Sequence, residues 1–237
     1  MISYYDDVAA TFTNFAMSGI DKVHFGLEAA VSIPIYHTLA LNGAVSWGQY
    51  TYDSNPYYLQ TQDNSGDIVS DGYVYWKDFR VESTPQTAVN VGLSWRSNNN
   101  IYLSADFNYY NNMYLSMSPI YRTDAVITGG MAPGDIEHLR RQEKFDSAYT
   151  LNASIGKNWY IHRKYTLGFS LDVKNILNNQ DIKTGGYEQT RLSKNTETTV
   201  TTYQAFDSKY FYMFGTTYYL NLYFLSLIHI SEPTRPY

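Results

Sequence analysis

Cysteine is absent from the 237 residues, which excludes disulfides and thiolate metal sites and leaves the redox compartment unread. No apolar run reaches the roughly 18 residues that a transmembrane helix needs. Charge is also scarce: 16% of residues are charged, with a net charge of −5 and pI near 5.5, so nothing points to nucleic-acid binding. Met1 is followed by Ile-Ser-Tyr-Tyr-Asp-Asp, with no basic n-region or apolar h-region of a signal peptide. The histidines His24, His37, His138, His162 and His229 show no metal-ligand spacing. His24 and Glu28 share a strand face, but strand rise separates them by about 13 Å, and simple solvation accounts for both. No Ser/His/Asp grouping stands out, so neither an enzyme, a cofactor nor a metal is expected.

Tyrosine is what the chain has in excess, 25 residues within 17% aromatics. Bilayer interfaces enrich Tyr and Trp because their rings are amphipathic. A β-rich surface or carbohydrate-binding domain would show the same excess. The mean hydropathy of −0.38 does not exclude a membrane, because a barrel with a wet lumen keeps half its strand residues polar.

Alternation of period two is the organising signal. Between Phe145 and Leu177 two strands are expected. Tyr149, Leu151, Ala153 and Ile155 oppose Thr150, Asn152, Ser154 and Gly156; then Tyr165, Leu167, Phe169, Leu171 and Val173 oppose Thr166, Gly168, Ser170, Asp172 and Lys174. The same pattern runs from Lys22 to Ile33, from Leu39 to Gly48, from Val89 to Arg96 and from Ile101 to Tyr109. A closing aromatic strand is expected over Lys209–Phe224, with Tyr210, Tyr212, Phe214, Tyr218, Leu220, Leu222 and Phe224 on one face. Residues 1–21 read as an exposed loop, and a second short hairpin is expected at Tyr73–Val81.

These seven strands are joined by turns of a few residues that alternate with long polar connections: Asp53–Thr84, Leu115–Lys144 and Asn178–Ser208. Structureless loops of that length are uncommon in compact soluble domains. Strands of about ten residues, short turns at one end and long loops at the other match an outer-membrane barrel. The fold class expected is therefore all-β, an antiparallel transmembrane β-barrel fragment of about seven strands. Single-chain bacterial barrels have even strand counts, so the chain is expected to be the C-terminal part of a larger barrel, incomplete at its N-terminus.

Several segments carry a family resemblance: Ser3-Tyr4-Tyr5-Asp6-Asp7, His24-Phe25-Gly26-Leu27-Glu28, Gly48-Gln49-Tyr50, Pro85-Gln86-Thr87-Ala88, Pro119-Ile120-Tyr121-Arg122-Thr123 and Gln142-Glu143-Lys144-Phe145-Asp146. The clearest is Val173-Lys174-Asn175-Ile176-Leu177-Asn178-Asn179-Gln180, together with the closing aromatic strand. Through about Phe224 the chain resembles the C-terminal barrel of TonB-dependent outer-membrane receptors from Bacteroidota, of the type that begins with a carboxypeptidase-regulatory-like domain. The resemblance implies a 22-stranded barrel occluded by an N-terminal plug, taking up a siderophore, glycan or similar bulky nutrient with energy delivered by TonB. Plug, TonB box and signal peptide are expected upstream, and outer-membrane lipid, plug and TonB are the implied partners. Residues 1–225 are assigned to the barrel. Residues 226–237 resemble translated sequencing-adapter read-through and are expected to be non-native or disordered.

Two residue sets follow. Glu28, Arg96, Asp106, Asp172 and Lys174 fall on the polar strand face and are expected to face the lumen, because at mid-bilayer each would cost up to about 2–4 kcal/mol. In the long loops, Tyr57, Tyr58, Tyr73, Tyr75, Trp76, Arg80, Tyr121, Arg122, Tyr187 and Arg191 are candidates for ligand contact, since aromatics with arginine suit sugar stacking or an anionic chelate. Arg140 and Arg141 beside Glu137 and Glu143 read as a solvated charge cluster. The alternatives are a porin-like passive channel, an outer-membrane adhesin or glycan-binding protein and, more distantly, an outer-membrane hydrolase.

Overall fold

The computed structural model describes residues 1–226 apart from 8, 130–135, 138–139, 163 and 196–201. His138, Pro133, Gly134, His229 and the tail 227–237 lie outside the described residues. The chain begins with β1 (Ile2–Asp6), β2 (Thr11–Ser18), β3 (Lys22–Tyr36), β4 (Leu39–Tyr52), β5 (Tyr57–Gln62) and β6 (Ile68–Tyr73). Next come β7 (Thr87–Arg96), β8 (Ile101–Asn111), a 3-10 turn at Ile120–Arg122 and the short helix α1 (Asp124–Thr128). Beyond these lie β9 (Ala148–Ile161), β10 (Tyr165–Lys174), β11 (Lys183–Tyr187), β12 (Leu192–Asn195) and β13 (Thr202–Ala205). The last two strands are β14 (Lys209–Tyr212) and β15 (Thr217–Ser226).

The long strands form one antiparallel sheet of seven, in the order β15-β10-β9-β8-β7-β4-β3. Register makes its apolar face continuous: Leu27 pairs with Trp47, Val91 with Phe107, Phe107 with Leu151, and Leu171 with both Ile155 and Leu220. The opposite face is a hydrogen-bonded polar surface. Ser32 Oγ donates to Asn42, Asn42 Nδ2 to Ser94, Asn90 Nδ2 to Asn108, and Asn108 Nδ2 to Thr150, at 2.7, 3.3, 2.8 and 3.4 Å. Short connections (37–38, 97–100 and 162–164) leave one end of the sheet, and long ones (53–86, 112–147 and 175–216) leave the other. Among the described residues β3 and β15 each have a single neighbour, so the sheet has two open edges and does not close on itself.

Three expectations are corrected. Residues 1–21 are not a loop: β1 and β2 pair with each other and enter a four-stranded sheet, β1-β2-β5-β6. The hairpin falls at β5–β6 rather than at Tyr73–Val81, because Asp63-Asn64-Ser65-Gly66 supplies the turn, with Gly66 at φ +73°. The closing strand is two strands. β14 leaves the principal sheet to pair with β11, while β15 pairs with β10. Asn175, buried at φ +51°, turns the chain out of β10, and its Nδ2 donates to Phe214 O at 3.0 Å, fixing the break between β14 and β15.

Burial is inverted relative to a water-soluble sheet protein. The buried cluster of Phe15, Tyr52, Tyr58, Val74, Trp76, Met117, Ile120, Tyr121, Val126 and Leu192 lies among β1, β2 and the long connections, with Tyr52 at the end of β4. The principal sheet leaves its apolar face bare: Phe25, Leu27, Leu222 and Phe224 are 64%, 68%, 71% and 61% exposed.

Candidate ligand-binding cap

The long connections fold into a cap over one end of the principal sheet. Phe15 and Tyr58 stack face to face, with ring centroids 5.0 Å apart, and Trp76 packs on Tyr52 at 4.7 Å. Arg122 ties the second connection to the third. Its Nη1 donates to Glu188 Oε2 at 2.5 Å and its Nη2 to Oε1 at 2.9 Å, a bidentate pair. Nη1 also reaches Ser118 O at 3.1 Å, and Ser118 N donates to the same Glu188 at 2.8 Å. Two further clasps close the cap. Arg191 Nε donates to Asp7 Oδ2 at 3.1 Å, and Lys183 Nζ donates to Glu143 Oε1 at 2.9 Å while lying 3.8 Å from the Tyr210 ring centroid. Tyr210 donates to Glu143 Oε2 at 2.7 Å, and that hydrogen bond raises the Tyr210 pKa, reinforced by burial.

The loop residues singled out from sequence divide by burial. Tyr58, Trp76, Tyr121 and Arg122 are interior to the cap. Tyr121 donates to Arg191 O at 2.9 Å, and burial pushes its phenol up to about 12. Tyr57, Tyr73, Tyr75, Tyr187 and Arg191 are exposed, and Arg80 is half-buried with its backbone held by Gln142. Tyr57 and Tyr73 meet edge-on at 5.7 Å, Tyr187 lies 6.0 Å from Phe211, and Arg140 lies over the Tyr75 ring at 6.0 Å. The five in-strand charges sit at register positions of the polar face: Glu28 opposite Ser46, Arg96 opposite Tyr102, Asp106 opposite Gly92, Asp172 opposite Ser154 and Lys174 opposite Thr217. Glu28 Oε1 accepts from Ser46 at 3.3 Å.

One cavity of 210 Å³ opens in the cap, where β1, β2, β5 and β6 meet the 3-10 turn, α1 and the residues before β12. Tyr4, Asp6, Gln60 and Ser70 give it a polar side, and Phe15, Ile120, Val126 and Leu192 an apolar one. Asp6 accepts from Gln60 Nε2 at 2.6 Å and from Ala9 N at 3.1 Å, and Gln60 Nε2 also reaches Thr13 at 3.3 Å. Burial, and then the neighbouring Asp6 charge, hold the Tyr4 phenol well above its usual range. Asp6, Gln60 and Glu188 were missed from sequence. The alternation Phe12-Asn14-Ala16 against Thr13-Phe15-Met17 could have revealed β2 and its buried face. Glu188, by contrast, is 66 residues from Arg122 and carries no local signal.

Among the described residues no three metal-ligating side chains converge, and no helix is long and apolar enough to cross a membrane. Comparison with family models, with curated proteins and with solved structures found no match.

Proposed function

We propose that this chain is the membrane-embedded part of an outer-membrane β-barrel, and that the barrel is a TonB-dependent receptor for a siderophore, glycan or similar bulky nutrient. One observation carries the membrane reading. The long sheet exposes a continuous apolar face while the buried core sits in the loops. Six inter-strand gaps of about 4.8 Å and about ten residues of 3.3 Å make that face on the order of 900 Å² in plan. Soluble monomers rarely expose apolar patches above a few hundred Å², and lipid is the solvent that such a face needs.

Register, strand length and the one-sided long connections support a barrel wall, with Glu28, Arg96, Asp106, Asp172 and Lys174 toward a wet lumen. The open edges at β3 and β15 are where neighbouring strands of a larger barrel would pair, since unpaired backbone in hydrocarbon costs several kcal/mol per group. In this reading the plug lies against the polar face, TonB acts through the plug, and the location is the outer membrane. The cap favours one second reading, an outer-membrane adhesin or glycan-binding protein, because an ordered loop module can capture ligand without uptake.

Tryptophan tests the membrane reading directly. Trp47, Trp95 and Trp159 fall at apolar-face register positions, whereas Trp76 is buried in the cap. With the chain reconstituted into vesicles, brominated acyl chains should quench the fluorescence strongly. A variant with Phe at positions 47, 95 and 159 should keep its Trp76 emission unquenched. Equal quenching of both, or of neither, overturns the membrane reading. The receptor reading is tested in the upstream coding DNA, where a plug with a TonB box is expected, and an autonomous start without one would leave an adhesin or passive barrel.

A further inference from the structure

We infer that the cap cavity is a binding site for one small apolar ring, bare or carrying a methyl-sized substituent, and that it excludes sugars and anions. This deepens the receptor reading, under which a bulky nutrient would be held here by one ring of its structure; only that role in uptake rests on the reading. The cavity's 210 Å³ exceeds the roughly 150 Å³ in which a dry apolar cavity takes up benzene. It falls short of the ~300 Å³ at which drug-sized pockets begin.

The walls come from four separate parts of the chain. Phe15 of β2, Tyr58 of β5 and Val69 of β6 line the cavity together with Ile120 of the 3-10 turn, Val126 of α1 and Leu192 of β12. All but Val69 belong to the buried cluster of the cap, so the cavity is an opening in that core rather than a dent in the surface. Protein interiors rarely keep a void larger than a water molecule, and carbon-lined walls gain dispersion contacts when an apolar group fills them. Phe15 and Tyr58, stacked at 5.0 Å, offer a further ring an aromatic partner.

Hydrogen bonding decides the class of ligand. The polar groups along the wall are already engaged. Gln60 Nε2 donates to Asp6 and Thr13, and Asp6 also accepts from Ala9 N. Tyr58 and Ser70 share a hydrogen bond of 2.8 Å, and Thr123 Oγ1 donates to Ile120 O at 3.0 Å. Among the described residues the buried side-chain polar atoms without a partner are Trp76 Nε1, Ser118 Oγ and Arg122 Nε, and none of those three residues lines the cavity. A hydroxyl-rich ligand would therefore give up its water without finding partners in waiting, and an anion would lose more. An apolar ring has no such loss to recover. Burial holds the Tyr4 and Tyr58 phenols, both on the wall, above their ordinary value, as a poorly hydrated site requires.

Fluorine NMR on the purified chain in detergent tests this with four probes. They are para-fluorotoluene as the apolar ring, fluoronaphthalene as a two-ring molecule, fluorodeoxyglucose as the sugar and para-fluorobenzoate as the anion. Detergent takes up apolar probes without saturating, so the site is read as the saturable component alone. With para-fluorotoluene such a component should appear, and the sugar and the benzoate should bind about tenfold or more weaker. Ala125→Trp, at an exposed α1 position on the cavity wall, should abolish the component. Leu192→Ala, which widens the cavity, should shift the preference toward fluoronaphthalene; should it fail to fold, Ala125→Trp decides alone. No saturable component, one that Ala125→Trp leaves unchanged, a preference unmoved in folded Leu192→Ala, or equal or tighter binding of the sugar or the benzoate would each overturn the inference. Bromolipid quenching is read separately. Saturable ring binding without lipid quenching would retain the cavity site and overturn the membrane reading, and quenching without ring binding would do the reverse.

Discussion

Arg122 is the residue on which the cap closes. Its side chain is fully buried, Glu188 is 13% exposed, and Phe79 covers the guanidinium at 5.4 Å. Its Nε finds no partner among the described residues, and the group is held by the bidentate pair and the Ser118 carbonyl. A buried ion pair is weak evidence of net stability, but removing one partner strands the other charge and costs about 3–5 kcal/mol. Arg122→Met should therefore open the cap, read as lost amide protection across β5, β6 and residues 115–123. Arg122→Met with Glu188→Leu should recover more than half of that loss, since neither variant charge is then stranded. If the double variant is as exposed as the single one, the ion pair is not what joins the second and third connections.

At the scale of elements, β11 and β14 show how an irregular connection acquires order. Gly186 sits at φ +153°, and a Cβ there would run into the Lys209 carbonyl of the partner strand and touch Leu115 at 3.0 Å. Because the obstacle is backbone, Gly186→Ala should break the β11–β14 ladder at a cost of about 1–3 kcal/mol. It should also loosen the Ser116–Gly186 bond, while amides of β9 and β10 keep their protection. Uniform loss across the principal sheet would show instead that the cap and sheet unfold together.

The same elements mark what the sequence could reveal. The strands of the principal sheet announce themselves because period two persists for about ten residues in each, and local pattern suffices. The cap is different. Its four-stranded sheet brings residues 2–18 against 57–73, and Tyr58 or Arg122 reads as a surface aromatic or cation until pairing buries it. Strands of four to six residues carry too little alternation to stand out, and a partner 66 residues away, as Glu188 is for Arg122, leaves no local trace.

For the whole molecule, the deciding question is which solvent each face of the principal sheet meets, and adjacent residues of β8 can answer it. Ala105 is exposed on the apolar face, paired with Leu93 and Ala153, whereas Ser104 lies on the polar face opposite Ser94 and Ser154. Ala105→Arg removes little apolar area, so its effect reports the surroundings rather than lost packing. In lipid it should destabilise the reconstituted chain by about 2–4 kcal/mol if the site lies near mid-bilayer. Ser104→Arg should cost about 1 kcal/mol, the worth of its hydrogen bond to Ser154. Reversible urea unfolding in vesicles measures both. A lipid-facing sheet makes Ala105→Arg the worse variant, and a water-facing one makes it neutral and the better-behaved protein in detergent-free buffer. Equal costs at the two positions would mean that the faces share one solvent, and the barrel-wall reading would fall with the asymmetry it rests on.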